Sequence, residues 1–550
     1  MMEPKLLTLW QHIQTGYVRQ AEIADILELS PKQTSRYMQR WHEEGWFRLQ
    51  PGKGRGHSTK IEWVKNVESI YEKEMEYIIN HESIEKSAKW LTLHWSSECK
   101  LRLMRLFQTK LGFNDEGKDK LIIPRKDPFL SFHPLEALDI HSANLVSNIY
   151  NRLIYLTEDN EIWPELAHSW ESSNRLLRLY IRKGVKFHDG SYLSADDVVR
   201  CLESLRDHPI HRDIWFIVQR IHSPAQYVVE INLKQKCSYI LHLLSTINSS
   251  IYKVNNGKLI GTGSFYLEKN DETKTILRAF EDYYKERALL DCIEFVQMPM
   301  GFETIYRSSV KEDDIETYKV ESDSGFGIVI MNAYRNSDIN KQEVRDYIQY
   351  VISARRNEIN QLDPKIIPNQ SGILRSPSDP YIVDQVPFIE VSKPLVLQTT
   401  PYTEKLIFWL KGILETAGIP VKLKEITFEE SLQNGYTDHG TDFFIHGEVF
   451  EMNHSLSFFH FLLLSSSPLA QVLGDKGERF EILNQYANTP FEKWSELHEQ
   501  MERRLMKSAL ILPLYYSKRS VLFSDDIMNI SIKNFGYADF SKLWMKPTTI

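Results

Sequence analysis

Ser30-Pro31-Lys32-Gln33-Thr34-Ser35-Arg36-Tyr37-Met38-Gln39-Arg40-Trp41-His42-Glu43-Glu44-Gly45 is the stretch that decides the reading of the N-terminal part. Ser30 suits a helix N-cap, Pro31 the first helical position, and Gly45 the stop. At 3.6-residue spacing Thr34, Tyr37, Met38 and Trp41 fall on one side, and Lys32, Arg36, Gln39 and Arg40 on the other, with Glu43 at its end. Such a helix can pack by one face and enter a major groove with the other. Its cations attract phosphates, and Arg and Gln can make paired hydrogen bonds to base edges.

Upstream, Leu6, Trp10 and Ile13 predict a first amphipathic helix ended by Gly16, and Ala21 to Leu27 a second with Ile23 and Leu27 on one face. Downstream, Trp46 to Gln50 and Lys60 to Trp63 read as short strands flanking the basic loop Pro51-Gly52-Lys53-Gly54-Arg55-Gly56-His57, a hairpin wing. The expected contacts to double-stranded DNA are Lys32, Gln33, Ser35, Arg36, Gln39 and Arg40 on the helix, with Lys53, Arg55 and Lys60 on phosphate from the wing. Between Leu29 and Ile61 seven bases face two acids, a local charge of +5 in a chain of net charge −8. The plainer alternatives are a solvated polar helix face, or a winged helix used for protein contacts.

The whole chain has 550 residues, too many for one core, and 42% hydrophobic residues, too many for a disordered chain. With 66 basic and 74 acidic residues it is not basic throughout, which excludes bulk packaging of nucleic acid. The densest apolar run, Phe458 to Leu464, falls far short of the roughly 18 residues a spanning helix needs. No secretory h-region follows Met1, so the expectation is a cytoplasmic protein with no membrane partner. Cys99, Cys201, Cys237 and Cys292 form no CxxC pair.

Val64 to about Leu111 reads as helical, either a connector packed on its neighbours or a lever or dimer interface. The expected domains are 1–63, the winged helix; 64–119, a helical linker; and 120–550, with lobe one at about 120–285 and 505–550 and lobe two at about 286–504. The last part alternates short strands and helices. Val421 to Ile426 follows a helix from Thr403 to Ala417, which follows the strand Leu395-Val396-Leu397, a βαβ unit of an α/β core.

Leu166-Ala167-His168-Ser169-Trp170-Glu171, then Lys183-Gly184-Val185-Lys186-Phe187-His188-Asp189-Gly190-Ser191 and Leu193-Ser194-Ala195-Asp196-Asp197-Val198-Val199, resemble the signature of family 5 extracellular solute-binding proteins. Gly261-Thr262-Gly263-Ser264-Phe265, Phe280 to Tyr284, Asn332, Val344-Arg345 and Leu512 to Tyr516 match further family segments. Joined to a winged helix, the chain resembles the SgrR-type transcriptional regulators; the Gly-Arg-Gly wing, Asn534-Phe535-Gly536-Tyr537 and Asp539-Phe540 fit that group too. The resemblance implies a two-lobed, periplasmic-binding-protein-like α/β domain (type II, family 5) that senses a small-molecule solute: a sugar, a sugar phosphate or a peptide. By position in family segments, Asn144, Asn332 and His446 are the candidate ligand residues. RNA polymerase is a further candidate partner. The rival reading is the solute-binding protein of a peptide-type ABC transporter.

His188-Asp189 imitates a catalytic pair but sits in a Gly-rich turn and reads as scaffold. His208 and His211 have no acidic or Cys partner near in sequence, so no metal is expected there. No GxSxG, HExxH, Walker loop or Rossmann fingerprint is present. The expectation is a regulator and not an enzyme, with no catalytic residues and no cofactor.

Overall fold

The computed structural model describes residues 2–50, 58–108, 110, 112–115, 119–125, 128–298, 317–364, 366–374, 381–401, 403–427, 430–431, 440–451, 453–473, 476–524, 527–531 and 538–545. The first unit runs α1 (Pro4–His12), β1 (Gly16–Arg19), α2 (Gln20–Leu27), α3 (Pro31–Glu43), β2 (Phe47–Gln50) and β3 (Ser58–Trp63). Ser30 and Gln33 close a capping box at the start of α3, and Gly45 takes a φ of 73° after its end. Thr34, Met38 and Trp41 are buried and Tyr37 half-buried, the face the spacing predicts. β1 is not legible in the sequence: it has four residues and one buried side chain, Val18. It pairs antiparallel with β3, which pairs with β2, so the hairpin becomes a three-stranded sheet.

The expected linker is built into this unit. α4 (Val67–His81), α5 (Ile84–Leu91) and α6 (Ser97–Gln108) bury Tyr71, Met75, Leu91, Met104 and Phe107 in one core with Leu7, Trp41 and Phe47. Winged helix and following helices therefore share their packing.

The remaining chain forms two lobes. In the first, Gly112–Asp115 and Asp119–Arg125 join Phe265–Asn270, Lys274–Ala279 and Cys292–Gln297 in a five-stranded sheet; Cys292–Gln297 runs parallel to Asp119–Arg125. Helix Ile140–Ile149 covers one face of that sheet. A second, four-stranded antiparallel sheet holds Ala167–Ser172, Leu176–Ile181, Val218–Ala225 and Val228–Leu233. The second lobe is a six-stranded mixed sheet with the helices between residues 342 and 507.

The lobe boundaries differ from those expected. Cys292–Gln297 belongs to the first lobe's sheet, so that lobe continues past residue 285. Ile511–Ser524 pairs with Thr317–Met331 from Ile511↔Ile330 to Ser524↔Thr317, so it belongs to the second lobe. The chain is back in the first lobe at Ile527, which shares a core with Leu121 and Phe265.

The lobes meet through packed side chains. Tyr239 lies 5.0 Å from Phe459 and 6.1 Å from Trp494, and His242 stacks on Phe491 at 3.8 Å. Among the described residues, no helix is long and apolar enough to cross a membrane.

Candidate DNA-contacting face and solute cavity

Lys32, Gln33, Ser35, Arg36, Gln39 and Arg40 are all exposed on α3, but their bonds separate them. Gln33 is spent on the cap: its Oε1 accepts from the Ser30 N–H at 3.2 Å and the Ser30 hydroxyl at 2.9 Å. The Ser35 hydroxyl donates to the Pro31 carbonyl at 3.1 Å and accepts from Gln20 Nε2 at 2.5 Å, which fastens α2 to α3. Gln39 Nε2 donates to Glu43 at 2.8 Å. Arg40 pairs with Glu3, lies 3.7 Å from Glu44, and sits 4.8 Å over the Tyr37 ring. Lys32 and Arg36, in the first two turns, carry no bond or ion pair among the described residues. Lys32 also sits in the first turn, where the positive end of the helix dipole adds its own attraction for phosphate.

Lys60 is on β3, half-buried, between Tyr17 and Gln50 of the neighbouring strands. Lys53 and Arg55 lie outside the described residues, as does Asn534-Phe535-Gly536-Tyr537. Sequence reading missed Gln20 and Glu3; neither stands in a motif, and each acts on α3 from another element.

The first lobe holds a cavity of about 1150 Å³. Its floor is the polar side of helix Ile140–Ile149, with Asn144, Ser147 and Asn148. The Gly261-Thr262-Gly263 segment presses on that helix's last turn: a Cβ on Gly261 would stand 1.9 Å from the Ile149 carbonyl oxygen, and one on Gly263 2.4 Å from that of Asn148. Only glycine allows this approach, and the Gly263 N–H uses it to bond the Ile149 carbonyl at 2.9 Å.

The cavity's charged groups are mutually arranged. Glu165 accepts from Asn151 Nδ2 at 3.0 Å and pairs with Lys285 at 3.3 Å. Asn151 also donates to the Tyr283 hydroxyl at 3.2 Å. Arg152 Nη1 donates to the Ser245 carbonyl at 2.5 Å and its guanidinium lies 5.7 Å from the Tyr155 ring. Across the lobe seam stands Glu451, whose carboxyl is raised by burial and drawn down in part by Arg152. The hairpin Ile527–Met528 with Trp544–Met545 brings Asp539, Lys542 and Trp544 to the rim.

Of the expected ligand residues, Asn144 lines this cavity, 4% exposed. Asn332 instead ties the end of a second-lobe strand: its N–H bonds the Asp442 carbonyl at 2.8 Å and its Nδ2 the Thr441 carbonyl at 3.3 Å. His446 lies on Phe443–Val449, 2.9 Å from Glu448 and stacked on Phe461 at 5.6 Å. Neither lines the cavity.

His188 is held as scaffold, between the Gly261 N–H at 3.3 Å and the Gly263 carbonyl at 3.1 Å. His208 and His211 have rings 5.3 Å apart, and His211 Nε2 bonds the Leu135 carbonyl at 3.2 Å. Among the described residues no group of three His, Cys, Asp or Glu side chains could hold a metal ion.

Residues 3–111 match the family described as sugar transport-related sRNA regulator, N-terminal, and residues 161–307 match bacterial extracellular solute-binding proteins, family 5, middle. The two matches together give the domain order of the SgrR-type regulators. Two similar proteins are named HTH-type transcriptional regulator SgrR. That of Photorhabdus laumondii is 22% identical and that of Pectobacterium atrosepticum 24% identical, each aligned over 99% of both chains. The dipeptide-binding protein of Pseudoalteromonas sp. SM9913, solved with Met-Leu, superposes with a TM-score of 0.66 at 17% identity. It covers 78% of this chain and 100% of its own. That likeness shows the two-lobed α/β fold of the regulator's C-terminal part, while the match over residues 3–111 takes in α1 to α6 as one segment, as their shared core does.

Proposed function

We propose that this protein is a cytoplasmic, solute-responsive transcriptional regulator in which residues 2–111 bind double-stranded DNA and the two-lobed part binds a small solute. The relatives' name supports the regulatory reading, and both matched families are named for regulation or solute binding, not for catalysis. The observation that carries it is α3: a capped helix, buried by one face, with Lys32 and Arg36, unengaged among the described residues, on the other. In this reading Arg36 reads a base edge and Lys32 meets phosphate. Gln33, Ser35 and Arg40 hold the helix, and Lys53, Arg55 and Lys60 add phosphate contacts from the wing.

In this reading the solute occupies the cavity over Asn144 and Asn148, with Arg152 on its wall. The lever from solute to DNA is the five-stranded sheet. Leu121, Ile293 and Phe295 pack on the cavity helix, whereas Ile122 and Val296 pack on the DNA-binding unit. RNA polymerase is the proposed further contact of the regulator on its promoter.

Footprinting the full-length protein on DNA upstream of its own gene, with a salt titration, tests the reading. Protection that weakens steeply with salt supports it. Arg36→Ala should cost about 1–3 kcal/mol and relax preference at one base pair. No protection, with Arg36→Ala indistinguishable from the parent, would refute the DNA reading and leave a protein partner for the winged helix.

A further inference from the structure

Glu3 stands just before α1, yet it touches three helices. Its carbonyl accepts the Leu6 and Leu7 N–H groups at 3.1 and 3.3 Å, closing the first turn of α1. Its own N–H donates to the Tyr71 hydroxyl of α4 at 2.9 Å. One carboxylate oxygen accepts from Trp41 Nε1 of α3 at 2.7 Å, and the other pairs with Arg40. Trp41 is fully buried and Tyr71 is 2% exposed. A buried indole N–H needs an acceptor, and Glu3 supplies it.

We infer that Glu3 is the positioning residue of the DNA-reading helix, tying α3 to α1 and α4 and holding Arg40 away from DNA phosphate. The inference rests on the DNA-binding reading of α3. The carboxylate performs two tasks that chemistry can separate. Accepting the Trp41 N–H needs only an oxygen. Neutralising Arg40 needs the negative charge, because Glu44 at 3.7 Å is an exposed partner and a weak one. α4 belongs to the same helical unit whose α5 lies on strand Cys292–Gln297 of the solute-binding part. Glu3 therefore joins the recognition helix directly to the helices that meet the sensor.

Glu3→Gln keeps the acceptor and removes the charge. With Arg40 released, DNA binding gains about one phosphate contact. The salt slope steepens by about 0.9, so affinity drops by a further factor of about 3.5 between about 50 and about 200 mM salt. Adding Arg40→Ala returns the slope to the parent's. Glu3→Ala removes the acceptor too, so amide exchange along α3 quickens while the far lobe is unchanged.

The assays are a salt titration on a duplex from upstream of the protein's own gene beside a scrambled duplex, and hydrogen exchange of the free protein. A Glu3→Gln slope equal to the parent's, in a protein that still binds DNA, overturns the masking of Arg40. Unchanged exchange along α3 in Glu3→Ala overturns the positioning. A parent that binds neither duplex brings down the DNA reading itself, and the inference with it, an outcome distinct from the first two.

Discussion

His188 is the place to test how the first lobe is held. Its Nδ1 accepts the Gly261 N–H and its Nε2 donates to the Gly263 carbonyl, so only the neutral Nε2–H tautomer satisfies both. Burial pushes its pKa down to about 4, against the opposing pull of the Gly263 carbonyl and Asp189. Burial also takes His211 and His242 to about 4, and His460 and His498 to about 3. In the unfolded chain each titrates near about 6.5. Between those values the unfolded chain binds more protons, so stability is intact above about pH 6.5 and falls as the pH drops toward about 4.

Each of these histidines therefore costs the folded state stability progressively as the pH falls below about 6.5, at up to about 1.4 kcal/mol per pH unit. Glu502 runs the other way. Burial lifts it to about 7, so the folded state keeps a proton that the unfolded chain releases above its ordinary carboxyl value. The assay is proton uptake on unfolding in guanidinium at about pH 5.5. The five histidines take up about 4.5 protons and Glu502 releases about 1, a net uptake from these groups of about 3.5. His188→Gln keeps a donor and an acceptor without a titrating group, and its uptake should be lower by about 0.9 proton. Equal uptake by the parent and His188→Gln would refute the argument that His188 is held neutral.

Lys32→Ala should weaken binding to all DNA sequences alike and lower the salt slope by about 0.9, read in the same titration as Arg36→Ala. Gly263→Ala places a Cβ 2.4 Å from the Asn148 carbonyl oxygen, and the overpacking should cost about 1–3 kcal/mol or more, read as a lower thermal midpoint. Ile122→Ala opens a hole where the first-lobe sheet meets the DNA-binding unit; a cost of about 2–5 kcal/mol should show as faster protease cleavage between the two parts.

The recognition helix was legible because everything that defines it is local: a Ser-Pro start, a glycine stop and a 3.6-residue stripe ending in Trp41. Its energetics were not, because Arg40 is answered by Glu3, 37 residues upstream, and Ser35 by Gln20 of the preceding helix. β1 escaped notice because its four residues begin at Gly16, which reads as a helix stop, and bury one side chain, Val18. Gly261 and Gly263 were visible as a motif, but the carbonyls that forbid a Cβ there belong to Asn148 and Ile149, more than a hundred residues away. The second lobe's boundary was misread for a similar reason. Leu512 to Tyr516 was visible as a family segment, but its pairing with Phe326 to Val329 is what assigns it to the second sheet. Asn144 came out on the cavity wall while Asn332 and His446 did not, since position in a segment says nothing about which side of an element a side chain takes.

The five-stranded sheet explains why a solute domain and a DNA-binding unit can act as one. Side chains alternate along a strand, so one strand serves two partners. On Asp119–Arg125, Leu121 packs under the cavity helix and Ile122 under the DNA-binding unit; on Cys292–Gln297, Ile293 and Phe295 take the first side and Val296 the second. All five side chains are less than 5% exposed. Lys274 and Lys120 hold Glu294 at 2.7 and 3.6 Å on the same side as Val296, and Lys274 also feels the charge of Glu85 on α5. A close-packed layer of this kind does not absorb a displacement on one side without moving the other. In the proposed reading, a solute over Asn144 and Asn148 would act through Leu121, Ile293 and Phe295 on one side of the sheet and Ile122 and Val296 on the other, the latter two sharing a core with Tyr71 and Trp41. Linkage makes the path two-way: DNA held by α3 must change solute affinity by the same factor that solute changes DNA affinity. Ile122→Ala, by loosening the shared layer, should shrink both factors together.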